Sequence, residues 1–154
     1  MAEFIRVSRQ LRFDPLFVNI SFVGSKALAQ ELGEQGAGVI VSQVVPSPFD
    51  ASNDLVARYQ KALIGYDSNE TYGFVSLEGY ITGRFVTHIL GKIEGPITRE
   101  SFIDTIYDIQ TIDLDGTILN FGENDNQGMD QVFMTVLKKQ GQFVPVSTLK
   151  NTLN

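Results

Sequence analysis

Residues 38–50, GVIVSQVVPSPFD, contain the strongest strand signal in the chain. The part from 39 to 45 is almost continuously apolar and rich in β-branched side chains, which is typical of a parallel strand covered on both faces. Pro46 and Pro48 cannot donate a backbone N–H to a sheet, so the strand is predicted to end before them. The segment therefore indicates a buried parallel strand that runs into a loop.

Strands and helices alternate on either side of this segment. Apolar runs predict further strands at 16–20 and 72–76, and periodicity and capping predict helices at 2–11, 25–32, 53–64, 78–92 and 98–109. Near the C-terminus, 131–138 and 142–146 read as a β-hairpin. This order favours an α/β, Rossmann-like layered fold with a mainly parallel sheet, helices on both faces and a C-terminal β-hairpin.

The composition excludes several classes of function. Twelve basic and eighteen acidic residues give the 154-residue chain a formal charge of −6, which disfavours nucleic-acid binding because phosphate contacts need clustered cations. The absence of Cys excludes disulfides and thiolate chemistry, and the single histidine, His88, excludes a multi-His metal site. We therefore expect no metal and no cofactor. We also expect no secretory signal peptide, since charges are spread through the N-terminal residues and these contain no apolar core.

The sharpest local motif is Asp113-Leu114-Asp115-Gly116-Thr117. It resembles the first motif of haloacid-dehalogenase-type phosphatases, in which two carboxylates two residues apart hold Mg²⁺ and the first is the nucleophile. Only 37 residues follow Thr117, too few for the later strands of that family, so a Mg²⁺-dependent phosphatase is the minor alternative. The competing interpretation is a glycine turn between two solvated aspartates that bind no Mg²⁺.

Three loops follow predicted strands and precede predicted helices. They are residues 20–25, 45–50 and 76–80, and they carry hydroxyl groups, aromatic rings and one carboxylate. Ligands of open α/β sheets bind at the carboxyl ends of the strands, and helix N-termini attract anionic groups. Ordinary connecting loops with helix caps at Asp50, Ser52 or Ser76 explain the same pattern equally well.

Six segments together resemble one protein family. PLFVNISFVGS (15–25), GVIVSQVVPSPFD (38–50), LVARYQKAL (55–63), FVSLEGYITGR (74–84), TRESFIDTI (98–106) and QVFMTVLKKQGQFVPV (131–146) look like its consecutive blocks. The family is the branched-chain-amino-acid-type periplasmic binding proteins of ABC transporters, the type I extracellular ligand-binding receptors. Its members have two Rossmann-like lobes, and the resemblance covers only the second, C-terminal lobe.

The resemblance implies a set of ligand contacts. Phe49 matches an aromatic position that packs on the ligand, and Glu78 matches a helix-start position where a carboxylate pairs with an ammonium group. Ser21 and Phe22 match the loop that closes on the ligand. The carboxylate-binding Ser/Thr cluster of the family belongs to the first lobe. No catalytic residue is implied.

The resemblance also implies a division of the chain. Residues 1–76 and 129–146 correspond to the second-lobe ligand-binding domain, 77–128 to a segment that packs on the first lobe, and 147–154 to a tail. Without the first lobe, the apolar faces of the helices 77–92 and 98–109 are expected to be partly uncovered, which favours a homodimer. The alternative is that the two helices fold down on the chain's own sheet. The side chains concerned are Ile81, Phe85, Ile89, Phe102, Ile106 and Tyr107.

The implied function is solute binding without chemistry. The ligand is an amino acid or a similar small molecule, the partner is an ABC permease, and the location is periplasmic or otherwise extracytoplasmic. The alternative is a sensory ligand-binding domain of the same fold, which acts on a receptor signalling domain.

Overall fold

The computed structural model describes residues 1–146 of the chain. The helices in this range are α1 (Ala2–Gln10), α2 (Ser25–Leu32), α3 (Asp54–Tyr66), α4 (Phe74–Leu90) and α5 (Arg99–Ile109). The strands are β1 (Val18–Ile20), β2 (Ile40–Gln43), β3 (Thr111–Leu114), β4 (Thr117–Asn120), β5 (Phe133–Leu137) and β6 (Phe143–Pro145). The described chain divides into two compact units, Met1–Ser47 with residues 132–146, and Pro48–Gln131.

The first unit is built on a four-stranded sheet with the order β1-β2-β5-β6. β1 and β2 are parallel, with Val18 opposite Ile40, whereas β2–β5 and β5–β6 are antiparallel. The predicted layered α/β class and the C-terminal hairpin are confirmed. Within the described residues, β1 and β2 are the parallel pair of this sheet. The two strands of the C-terminal hairpin, β5 and β6, add the other two pairings, which are antiparallel.

Helices α1 and α2 cover one face of this sheet. Ile5 of α1 and Leu28 and Leu32 of α2 form a buried apolar cluster with Val41 of β2 and Leu137 of β5. Burying a side chain of this size is worth about 1.5–3 kcal/mol, so the cluster accounts for the attachment of both helices.

The predicted strand at 72–76 is wrong. Helix α4 begins at Phe74, and among residues 1–146 the parallel pairing is limited to β1 and β2. Phe74 and Leu77 are buried, and Ile81 packs in the core of the second unit. The spacing of these three residues is helical, and this tertiary burial outweighs the strand propensity of the local Tyr, Phe and Val.

The second unit contains a hairpin at the predicted glycine turn, where the sequence analysis had assigned no strands. β3 and β4 pair antiparallel, with Leu114 opposite Thr117. The two residues between them, Asp115 and Gly116, have φ values of 55° and 86°. A two-residue turn with both φ values positive is the form that matches the twist of a hairpin, and an Asp-Gly pair favours it.

This hairpin covers the apolar faces of α4 and α5, which corrects the expectation that they would be left uncovered. Ile89 is buried against Ile112, Leu114 and Leu119 of the hairpin. The partly buried side chains around this cluster include Ile81, Phe85, Phe102 and Ile106. Tyr107 alone of the six predicted residues is exposed. These faces are thus partly buried within the unit, and the homodimer through 77–109 stays a prediction.

The structural units differ from the sequence-based division of the chain. Helix α3 lies in the second unit, whereas residues 1–76 had been assigned to one domain. The proposed boundary at 76/77 falls inside α4. The proposed tail, 147–154, lies outside the described residues.

Candidate ligand-binding loops

In the first unit, the loops that follow β1 and β2 lie at the same edge of the sheet, because the two strands are parallel neighbours. β1 runs directly into a 3₁₀ turn, Ser21–Val23, and α2 begins at Ser25. Gly24 joins them with a φ of 73°, a conformation that favours glycine. The sequence-predicted residues Ser21 and Phe22 are therefore adjacent in a tight turn at the carboxyl end of a strand.

Phe22 is the most exposed large apolar side chain of this edge, with 92% of its surface open to solvent. Ile20, at the end of β1, and Val44, directly after β2, are also exposed, whereas Ser21 is half-buried. An aromatic side chain gains free energy when it is buried, and ligands of α/β sheets bind at this edge, so Phe22 stays a candidate ligand contact.

A buried polar network fixes the start of α2 behind this edge. The side-chain amide of Gln43 donates to the hydroxyls of Ser25 at 2.8 Å and Thr135 at 3.4 Å, and Thr135 donates to the carbonyl of Val41 at 2.9 Å. Among the described residues, Gln43 Oε1 and Asn19 Nδ2 are buried without a hydrogen-bond partner. Gln43 was not singled out from the sequence, although a polar residue inside the run VIVSQVV was an available signal.

In the second unit, Phe49 lies exposed in the loop before α3. Gln60 of α3 anchors this loop by donating to the carbonyl of Pro48 at 2.8 Å. The hydroxyl and backbone N–H of Ser52 donate to Asp50 Oδ1, and these hydrogen bonds lower the pKa of the Asp50 carboxyl below its ordinary value. Asp50 and Ser52 are thus hydrogen-bonded to each other. Neither caps α3.

The caps of α3 and α4 differ from those predicted. Asn53 caps α3 by accepting the N–H of Val56 at 3.1 Å. Ser76 lies inside the first turn of α4, and Glu78 is the fifth residue of that helix. The predicted position of Glu78 at a helix N-terminus is therefore wrong, because α4 begins four residues earlier. Its side chain is exposed on the second turn, where the helix dipole has little effect.

Tyr59 of α3 holds the start of α4. Its hydroxyl accepts the backbone N–H of Gly73 at 2.9 Å and lies 2.6 Å from the hydroxyl of Ser76. The ring is buried and makes edge and tilted contacts with Tyr72 and Tyr80, with centroids 6.0 and 5.8 Å away. The sequence assigned Tyr59 to an apolar face and gave no signal for this polar role.

The carboxylate of Asp115 is occupied by arginines. Arg84 and Arg58 form ion pairs with it at 2.8 and 3.1 Å, and Arg84 also donates to the hydroxyl of Tyr80 at 3.0 Å. The hydrogen bonds to Tyr80 and Asp115 raise the pKa of Arg84. Asp113 accepts the N–H of Gly116 at 2.7 Å in the hairpin turn. Two guanidinium groups on Asp115 disfavour a cation there, so this geometry does not fit a phosphatase Mg²⁺ site.

Two properties of residues 1–146 bear on other classes of site. No group of three or more His, Asp or Glu side chains in this part of the chain lies close enough to hold a metal ion. None of its helices combines the length and apolarity that crossing a bilayer requires.

The chain is similar to solved structures of ligand-binding proteins. A possible leucine/isoleucine/valine-binding protein from Rhodopirellula baltica matches 99% of the chain with 32% identity and a TM-score of 0.90. An extracellular ligand-binding receptor from Verminephrobacter eiseniae matches 93% of it with 25% identity and a TM-score of 0.79. A leucine-binding protein from Thermotoga maritima has the same fold, with 18% identity over 95% of the chain and a TM-score of 0.78. The chain matches part of a type I periplasmic binding protein.

This likeness confirms the resemblance that the sequence blocks indicated. The chain spans only 41%, 41% and 40% of those three proteins, so it corresponds to less than half of a type I binding protein. No protein-family model matches the sequence, and no curated protein does either.

The four predicted ligand contacts are divided between the two units. Ser21 and Phe22 share one turn of the first unit, and Phe49 and Glu78 belong to the second unit. The loop of Phe49 is anchored on α3, whereas Glu78 lies on α4.

Proposed function

We propose that the chain is a solute-binding module of an ABC transporter and corresponds to the C-terminal lobe of the binding protein. The observation that carries this proposal is the match of 99% of the chain, at 32% identity, to a possible leucine/isoleucine/valine-binding protein. The ligand is an amino acid or a similar small molecule. It is bound by a few hydrogen bonds and apolar contacts and is not chemically changed.

Four side chains are proposed to contact the ligand. Phe22 and Phe49 supply exposed aromatic surface, and Ser21 supplies a hydroxyl group. Glu78 supplies an exposed carboxylate for a ligand ammonium group. Apolar surface with a few polar groups is the usual composition of a small-molecule site.

The proposed setting follows from the same likeness. The module acts outside the cytoplasmic membrane and delivers its ligand to an ABC permease. It is not an enzyme, and the pairing of Asp115 with Arg58 and Arg84 supports this, because that carboxylate is not available to hold Mg²⁺.

A ligand titration tests this function. Leucine, isoleucine and valine are each added to the 154-residue chain up to 10 mM, and the thermal midpoint and the amide NMR spectrum are followed. A ligand that binds only the folded state stabilises it by RT ln(1 + [L]/Kd), about 1.4 kcal/mol at ten times Kd. We expect at least one of the three to raise the midpoint and to shift the amide signal of Phe22.

The control ligands are glucose and sucrose at the same concentration, which should leave both readouts unchanged. Equal responses to all five compounds, or to none, would contradict the proposed function.

A further inference from the structure

The chemistry of the sheet edge in the first unit restricts which part of a ligand this unit can hold. Residues 21–24 follow β1 and residues 44–47 follow β2, and neither stretch contains an ionisable side chain. The exposed groups of this edge are apolar, with Phe22 the most exposed of them. A surface of this composition gains free energy by covering apolar atoms, and its side chains offer no partner for an ammonium group.

The start of α2 gives an electrostatic reason why this edge does not favour an ammonium group. This helix follows the turn directly, has no acidic residue in its first turn and has no side-chain cap. A helix N-terminus carries partial positive charge, so it repels an ammonium group.

We infer that the first unit recognises an uncharged apolar group of the ligand, such as an alkyl side chain, through Phe22, and excludes an ammonium group from this edge. The inference rests on the proposed solute-binding function and deepens it. It separates two parts of one ligand: an alkyl group lies against the first unit, and any amino group is recognised elsewhere.

Two ligands that share an alkyl group test the inference. L-leucine and 4-methylpentanoate have the same branched chain and carboxylate, and only leucine carries an ammonium group. Their dissociation constants are measured by NMR titration for the wild-type chain and for Phe22→Ser. We expect Phe22→Ser to weaken both ligands by the same factor, about tenfold, because the lost contact is with the shared alkyl group.

Phe13→Ser is the matched control. Phe13 is also an exposed phenylalanine of the first unit, but it lies before β1, away from the carboxyl ends of the strands. This variant should leave both dissociation constants unchanged. Because Phe22 is almost fully exposed, Phe22→Ser should keep the wild-type thermal midpoint, which separates loss of binding from loss of folding.

The possible failures are distinguishable. If the wild-type chain binds leucine but Phe22→Ser leaves both affinities unchanged, or weakens leucine alone, the inference is overturned and the proposed function stands. If neither ligand binds the wild-type chain and the wider titration also fails, the proposed function and this inference fall together.

Discussion

At the residue scale, Asp115 shows how an acidic motif can be structural. It lies in a two-residue turn, yet only 13% of its side chain is exposed, because Arg84 and Arg58 close over it. Arg58 is itself mostly exposed, so its ion pair contributes little, whereas the pair with the more buried Arg84 contributes more. The carboxylate thereby attaches the hairpin turn to α3 and α4.

Replacing Asp115 with Asn should therefore destabilise the protein. Asn tolerates the positive φ of this turn, so the change removes the charge with little backbone strain. We expect the free energy of unfolding to fall by about 1–3 kcal/mol in urea titrations, because Arg84 loses its anionic partner.

Asp113→Asn is the matched control in the same motif. The amide oxygen of Asn can still accept the N–H of Gly116, so the loss should stay below about 0.5 kcal/mol. Equal losses in the two variants would show that the arginine pairs contribute nothing beyond the turn.

At the element scale, the start of α4 depends on a side chain from another helix. α4 begins after Gly73 without a side-chain cap of its own. The hydroxyl of Tyr59 takes over that role by accepting the N–H of Gly73 and lying within hydrogen-bond distance of Ser76. A helix can thus begin directly after a glycine, with a hydroxyl from another element accepting the N–H of that glycine.

Tyr59→Phe should loosen this helix start. The variant keeps the buried ring but leaves the N–H of Gly73 without its acceptor, which costs about 1–3 kcal/mol of folding free energy. The free energy of local opening that amide hydrogen exchange measures at residues 73–77 should fall by a similar amount.

The control is Tyr66→Phe at the end of α3. Tyr66 is 89% exposed, so its loss of a hydroxyl should change neither stability nor exchange. Unchanged exchange at 73–77 in Tyr59→Phe would mean that water replaces the hydroxyl without cost.

At the scale of the whole molecule, the first unit is assembled from both ends of the described chain. β5, which begins at Phe133, pairs with β2, so strands about 90 residues apart in sequence are neighbours in the sheet. Leu137 of β5 is fully buried in the cluster with Leu32, and its side chain lies against Gly36. The C-terminal strands are therefore part of the core of the first unit.

Leu137→Ala tests this dependence. Deleting a buried leucine side chain leaves a cavity and costs about 2–5 kcal/mol. We expect that loss in urea unfolding, together with greater exposure of α2 to proteolysis, because the two elements share one cluster.

Leu11→Ala, at a side chain that is 75% exposed, should change stability by less than about 0.5 kcal/mol. A similarly small effect of Leu137→Ala would contradict the view that the hairpin belongs to the core.

Local patterns in the sequence were sufficient for much of this architecture. The apolar run at 39–45 located β2, the Thr98 cap located the start of α5, and the pattern at 131–146 located the hairpin. Each of these signals is short-range, because burial period, capping and turn chemistry act over a few residues. The blocks that carry the family resemblance are local in the same sense, and the likeness to solved binding proteins confirmed them.

The three-dimensional arrangement decided what depends on distant partners. Tyr72 to Ser76 carries strand propensity, but burial of Phe74 and Leu77 made it the start of a helix and moved Glu78 away from the N-terminus. The faces of α4 and α5 are covered because the β3–β4 hairpin folds onto them. Asp115 does not fit a metal ligand, because two arginines from α3 and α4 form ion pairs with its carboxylate. In each case the deciding contact joins residues far apart in sequence, and local propensity carries no information about such contacts.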